Sequence, residues 1–186
     1  MDRRKAKTIK AIRTAFADLL NAKRYSEITV QDILDEADVG RSTFYEHYKT
    51  KDELLHSVLA EIFAHVFSHD LSPETHHDFS GTHDYEHVVE HMFYHFSEDR
   101  EELKGILRSE SKDIFVADLK THLQALVYDY IFTVYRSDNF DEGLLVDHLI
   151  NTLTSLTLWW LGRDCKESPE DVTKIYFGLI LPVLAR

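Results

Sequence analysis

Apolar residues along this chain recur every three to four positions, and the period-two alternation of a half-buried strand is scarce. Ile9, Ile12, Phe16, Leu19 and Leu20, with Ala15 beside them, trace the first helical stripe. Thr29 stands where it can cap a second helix, with Asp32 at the third helical position, and Ile33, Leu34 and Ala37 face inward. Thr50 and Glu53 have the spacing of a capping box for a fourth helix, striped by Leu54, Leu55, Val58, Leu59, Ile62, Phe63 and Val66 over about five turns. Residues 70–82, with Pro73 and Gly81, form the clearest loop. Periodicity then predicts helices over 83–97, 100–109, 112–136, 142–163 and 169–184. The last opens Ser168-Pro169-Glu170-Asp171, an N-cap serine, a proline at the first helical position and early acids. The expected fold class is all-α.

Between the second and fourth predicted helices, residues 29–55 leave room for only a tight turn through Gly40 and a very short third helix around Arg41–His47. Core positions there are Ile33, Leu34, Val39, Phe44, Tyr48 and Leu54, so Arg41, Ser42, Thr43, Tyr45 and His47 can face outward. A short helix loaded with hydrogen-bonding side chains is how a helix-turn-helix presents a recognition helix to the DNA major groove. Arginine can hold guanine in a bidentate contact, and Ser42 and Thr43 can reach bases or phosphate. Tyr45, His47 and Lys51 are better placed for phosphate, and the N-terminus of the fourth helix offers backbone N–H groups to one as well.

The net formal charge of −12 argues against nucleic acid until it is divided along the chain. Residues 1–52 hold 11 Lys/Arg against 9 Asp/Glu, whereas residues 53–186 hold 10 against 24. A basic head on an acidic body follows. Cys165 is the sole cysteine, which excludes an intrachain disulfide and suits a reducing compartment. Near a helix end it could sense oxidants, although a lone half-buried thiol is more often inert. No apolar run approaches the ~20 residues of a membrane span, and no apolar segment follows the basic N-terminus as in a signal peptide, so a cytoplasmic protein without membrane association is expected.

The run Ser42-Thr43-Phe44-Tyr45-x-His47-Tyr48-x-x-Lys51-x-x-Leu54-Leu55, preceded by Ala37-x-Val39-Gly40 and by Thr29 opening the second helix, resembles the DNA-binding domain of the TetR family of bacterial regulators over residues 8–60. The ending Trp159-Trp160-Leu161, Ser168 to Val172, Tyr176 and Leu179 more weakly resembles one C-terminal class of that family. The resemblance implies a helix-turn-helix domain over residues 1–52, joined by a long helix to a helical ligand-binding and dimerisation domain over 53–186. It implies DNA contacts from Thr29, Arg41, Ser42, Thr43, Tyr45, His47, Tyr48 and Lys51, with the recognition helix reading bases while Tyr45, His47 and Lys51 grip the backbone. It also implies a homodimer through the last two long helices, a palindromic double-stranded operator, and a small-molecule effector that releases a repressor. The apolar residues of 142–163 (Leu144, Leu145, Leu149, Ile150, Leu153, Leu156, Leu158, Trp159, Trp160, Leu161) stand nearly all round the helix, which therefore needs more than one neighbour to cover it.

Two features fall outside that motif. Of twelve histidines, eight lie between 65 and 95, and His83, His87, His91 and His95 stand four apart. Such pairs can bind Zn²⁺ or Ni²⁺, with Glu86 or Glu90 assisting and a further ligand from His65 or His69. Tyr85, Val88, Val89, Met92 and Phe96 centre roughly opposite, so the ladder is expected on the solvated face. An effector pocket would draw on Phe93, Phe96, Phe115, Leu119, Tyr128, Phe132 and Trp159, residues that can equally well fill a core. No HExxH, nucleophile elbow or phosphate loop is present, so neither enzymatic activity nor a cofactor is expected. The alternative to an effector-released repressor is a helix-turn-helix co-regulator controlled by a protein partner or by metal at the histidine-rich region.

Overall fold

A computed structural model describes residues 3–67, 85–108, 110–134 and 140–184. Its elements in chain order are α1 (Arg3–Ala22), a 3-10 turn (Tyr25–Glu27), α2 (Val30–Ala37), α3 (Arg41–Tyr45), α4 (Lys51–Val66), α5 (Tyr85–Glu98), α6 (Arg100–Leu107), α7 (Lys112–Val134), α8 (Glu142–Leu161) and α9 (Pro169–Leu184). The chain is all-α, as the apolar spacing predicts, and where the expected ends of the helices after the loop fall on described residues they agree within two residues; those expected at 83, 109 and 136 lie outside the described residues. The loop expected at 70–82 lies outside the described residues.

The caps form where the sequence places them. Thr29 Oγ1 accepts from the Asp32 backbone N–H at 3.1 Å, and the Asp32 carboxylate accepts from the Thr29 N–H at 2.7 Å. Asp32 also accepts from the Thr29 hydroxyl and pairs with Lys23 at 2.9 Å. The Thr29 bonds, ahead of Lys23, hold its carboxyl well below the usual carboxylate range. At α4, Thr50 Oγ1 caps the Glu53 N–H at 3.0 Å, while Glu53 reaches back one residue further than a strict capping box, to the Lys49 N–H at 2.7 Å. Ser168 Oγ accepts from the Asp171 N–H at 3.1 Å to open α9 at Pro169. The turn between α2 and α3 runs through Asp38 and Gly40. Its left-handed residue is Asp38 (φ 51°), whereas Gly40 is extended at φ −71°. Aspartate tolerates that region because its short polar side chain bonds locally.

The chain divides into two compact units, Met1–Ile62 with Glu101–Phe115, and Phe63–Arg100 with Val116–Arg186. The division between these units falls inside α4, and most of α6 lies in the first. In that first unit Ile12, Phe16, Ile33, Phe44, Leu54 and Phe115 are wholly buried. α6 crosses α1 closely enough that a Cβ on Gly105 would stand 2.7 Å from the Leu20 backbone, and Asn21 Nδ2 donates to the Glu101 carbonyl at 3.4 Å. In the second unit Val89, Phe93, Phe96, Leu119, Leu149, Trp160 and Tyr176 are wholly buried. Trp160 packs edge-on against Phe93 at 5.3 Å and donates through Nε1 to the Glu167 carbonyl at 2.9 Å. The chain leaves α8 through two successive left-handed residues, Asp164 (φ 62°) and Cys165 (φ 52°).

Two predictions follow from this packing. Gly105→Ala puts a methyl against backbone that cannot swing aside, so the urea midpoint should fall by the equivalent of about 1–3 kcal/mol; an unchanged midpoint would show that α6 and α1 do not approach this closely. Burial pushes the Cys165 thiol up to about 11, only partly offset by Arg100. At pH 8 its alkylation in the native protein should then run about 100-fold slower than in denaturant, and the native rate should climb until the pH passes the raised value.

Candidate nucleic-acid interface

A five-residue helix is too short to hold itself, so α3 must be held by what it buries. Phe44 is wholly buried and meets Tyr48 at 5.8 Å between ring centroids. That burial fixes which side chains are left outside. Arg41, Ser42 and Tyr45 are exposed, and Thr43 and His47 are half-buried. Tyr45 leans edge-on against Phe44 at 5.5 Å and keeps 48% of its surface in water, large for an aromatic side chain. Arg41 donates to Gln31 Oε1 at 2.9 Å, and Gln31 donates on to Asp35 at 2.8 Å. The guanidinium is thereby held across the gap between α2 and α3.

Three of the eight expected contacts are structurally engaged as well. Tyr48 is only 6% exposed, and its ring lies under α3. The Thr29 hydroxyl is committed to the α2 cap. Lys51 donates through Nζ to the Tyr25 carbonyl at 2.7 Å and the Ile28 carbonyl at 2.8 Å, with the ammonium 4.3 Å above the Tyr25 ring. An ammonium has three N–H donors, so a third remains for an approaching phosphate. Sequence spacing alone could not show this inward role, because it depends on the 3-10 turn bringing two carbonyls to the head of α4. Burial, ahead of a hydrogen bond to Asp52, raises the Tyr25 phenol well above its ordinary value and keeps it a donor. At the head of α4, Asp52 accepts from the Tyr25 hydroxyl, Glu53 accepts from the Lys49 N–H, and Thr50 Oγ1 takes the Glu53 N–H.

The flanking charge supports an anionic partner. Lys5, Lys7 and Lys10 are exposed on α1, whose first turn contains no acid. Cations near a helix N-terminus oppose its dipole by roughly 0.3–1 kcal/mol each, so helix stability does not explain them. Further along α1, Arg13 donates to the Ser57 carbonyl at 2.6 Å and pairs with Glu61, tying α1 to α4.

Of the expected pocket residues, Phe93, Phe96 and Leu119 are wholly buried in the second unit and Phe115 in the first, whereas Tyr128 and Trp159 keep 42% and 44% of their surface exposed. The Phe132 side chain and His83 lie outside what the structure describes. Trp160, not Trp159, is the tryptophan of the core, and Arg163 lies over the Trp159 ring at 5.0 Å. A buried pair that the apolar pattern conceals is Tyr85 and Tyr176, whose hydroxyls meet at 3.0 Å. The described part of the histidine ladder, from His87 on, is not on the solvated face. His87 is half-buried, and His91 and His95 are 7% and 2% exposed. A four-residue step advances about 40° round a helix, so the ladder winds toward the face that buries Met92 and Phe96.

The comparisons with known proteins agree with this geometry. Residues 12–58 match the profile of bacterial regulatory proteins of the tetR family, and residues 83–181 match that of a transcriptional regulator C-terminal region. The HTH-type transcriptional regulator YxbF of Bacillus subtilis is 42% identical over 60 residues, 32% of this chain and 16% of that protein. The HTH-type dhaKLM operon transcriptional activator DhaS of Lactococcus lactis is 42% identical over 48 residues, 26% of each. The chain thus spans less than a third of the length of either relative. A TetR transcriptional regulator from Streptococcus agalactiae superposes with a TM-score of 0.76 at 31% identity, over 96% of both chains. The dihydroxyacetone kinase operon activator DhaS shares the fold, at a TM-score of 0.66 and 21% identity over 96% of both chains. Among the described residues no helix is long and apolar enough to cross a membrane. A pinned short helix with polar side chains outward, a basic flank, and profiles matched at both ends lead to one conclusion: the chain belongs to the TetR family of bacterial transcriptional regulators and is a DNA-binding regulator.

Proposed function

We propose that this protein is a homodimeric repressor that binds a palindromic operator and lets go when a small molecule binds its helical body. The carrying observation is an uncovered apolar stripe on the last two helices. On α8, Leu144 is 63% and Trp159 44% exposed, and on α9, Ile175 and Leu179 are 39% and 54% exposed. Ile175 and Leu179 are four apart and so share a face of α9, while Leu144, His148, Asn151, Ser155 and Trp159 run along one exposed side of α8. Apolar side chains aligned this way call for a partner, and a second copy supplies an identical surface by two-fold symmetry. Two heads then act together on two half-sites about one helical turn apart.

Under this reading residues 1–52 touch DNA and 53–186 respond to the signal, in a cytoplasmic setting. Arg41 and Thr43 read bases; Tyr45, His47 and Lys51 hold phosphates. The effector lies in the body among Phe93, Phe96 and their neighbours. It needs only a differential affinity for the two states of the heads, with a coupling of ~1–3 kcal/mol being ordinary. The dhaKLM operon regulator that matches 48 residues of this chain is an activator, so sequence likeness does not set the sign of control. A promoter fusion in cells lacking the protein decides between repression and activation.

Leu179→Asp should convert the dimer to a monomer in sedimentation velocity and weaken binding to the protein's own upstream DNA on the order of 100-fold, by loss of the second head. A dimer that survives would remove α9 from the interface. In gel shifts with parallel denaturation, Tyr45→Ala should weaken DNA binding and leave the urea midpoint unchanged. Tyr48→Ala should cost about 3–5 kcal/mol of stability, and Lys51→Ala should lower both, its two carbonyl bonds contributing roughly 1.5–3 kcal/mol apiece. Full operator binding by Tyr45→Ala would contradict its phosphate role.

A further inference from the structure

Where the histidine ladder turns inward it meets a third ring from a different helix. His65, in the last turn of α4, stands 4.1 Å from His95 of α5 between ring centroids, and His91 and His95 stand 4.3 Å apart. The two nitrogens of His95 have different partners: Nδ1 is 3.0 Å from Glu98 Oε2, and Nε2 is 2.9 Å from His91 Nε2. One potential ligand atom each from His65, His95 and Glu98 lies within 4.8 Å of the other two. Asp99 adds a carboxylate oxygen shielded from solvent, Oδ2, 3.7 Å from His65 Nδ1.

We propose that His65, His95 and Glu98 form a zinc site that fastens the end of α4 to α5. Charge is the first reason. Two carboxylates, Glu98 beside His95 and Asp99 beside His65, border the imidazole cluster and complement a divalent cation placed among the rings. Geometry is the second. Tetrahedral Zn²⁺ with Zn–N bonds of about 2.0–2.1 Å separates its ligand atoms by about 3.3 Å, so the His95–Glu98 pair is already near that spacing and His65 closes on it by a side-chain rotation. The third is the outer partner. With His95 Nδ1 on the metal, its Nε2–H donates to the His91 Nε2 lone pair, the second hydrogen bond that orients a ligating imidazole. Asp99 or water completes the shell. Mixed imidazole and carboxylate ligation selects zinc and its transition-metal neighbours over Mg²⁺ and Ca²⁺, which prefer oxygen throughout.

The test uses the full chain without an affinity tag, stripped by chelator and titrated with Zn²⁺ against a chromophoric competitor. One tight zinc per chain and a raised melting temperature are expected, with neither Mg²⁺ nor Ca²⁺ raising it. His65→Gln and Glu98→Gln should each weaken zinc at least 100-fold, and His91→Phe, which removes only the outer acceptor, should weaken it about 10–100-fold. His56→Gln, at an exposed position of α4, should leave zinc binding unchanged. Absence of tight zinc, or undiminished tight zinc in His65→Gln combined with Glu98→Gln, would overturn the proposal. X-ray absorption on the zinc-loaded wild type makes the test independent of whether those variants fold. Two imidazoles with carboxylate oxygen are expected, and a shell of four imidazoles would assign the metal to other histidines.

Discussion

Placing Phe44 beneath a helix of five residues is the constraint on which the DNA-reading head depends. An isolated helix of that length does not persist in water, so its position comes entirely from tertiary burial. Phe44 in the core and Tyr48 beside it set the rotation of α3, and that rotation turns Arg41, Ser42 and Tyr45 outward. The same economy governs Lys51, which closes two carbonyls of the preceding turn with a side chain that can still meet a phosphate. Stability and recognition are therefore not separate properties in this head. A substitution that loosens the anchor also misaims the reading side chains.

The body follows a different logic. Its helices are apolar over wide arcs, and much of that surface is covered within the chain, as Trp160 and Tyr176 show. Leu144 and Trp159 on α8 and Ile175, Leu179 and Leu181 on α9 remain outside, and Ile175 and Leu179, four apart on one face, are what the proposed pairing of two copies would cover. The acidic balance of residues 53–186 fits this division as well. On the proposed reading it would keep the body off the phosphate backbone and leave DNA contact to the basic head.

The fold was legible because helical periodicity and caps are local signals. Thr29 with Asp32, Thr50 with Glu53 and Ser168 before Pro169 each announce a helix start within four residues, and each forms. The outward set on α3 was legible too, once Phe44 and Tyr48 were assigned inward. What the sequence hid depends on contacts between distant segments. Gly105 has no local reason to be glycine, and its reason is the backbone of Leu20 on another helix. The inward use of Lys51 required knowing where the Tyr25 and Ile28 carbonyls point. The histidines misled because a four-residue repeat was treated as a straight stripe. Its 40° drift per step carries His91 and His95 into the body, where His65 waits on α4.

The central claim is that two identical heads read DNA together through α3. Footprinting the purified protein on its own upstream region, with stoichiometry measured by sedimentation of the complex, tests this most directly. The account predicts two chains per site and two protected half-sites related by two-fold symmetry, with centres about 10 base pairs or a multiple of that apart. Saturation by a single chain, or protection without sequence preference, would contradict it.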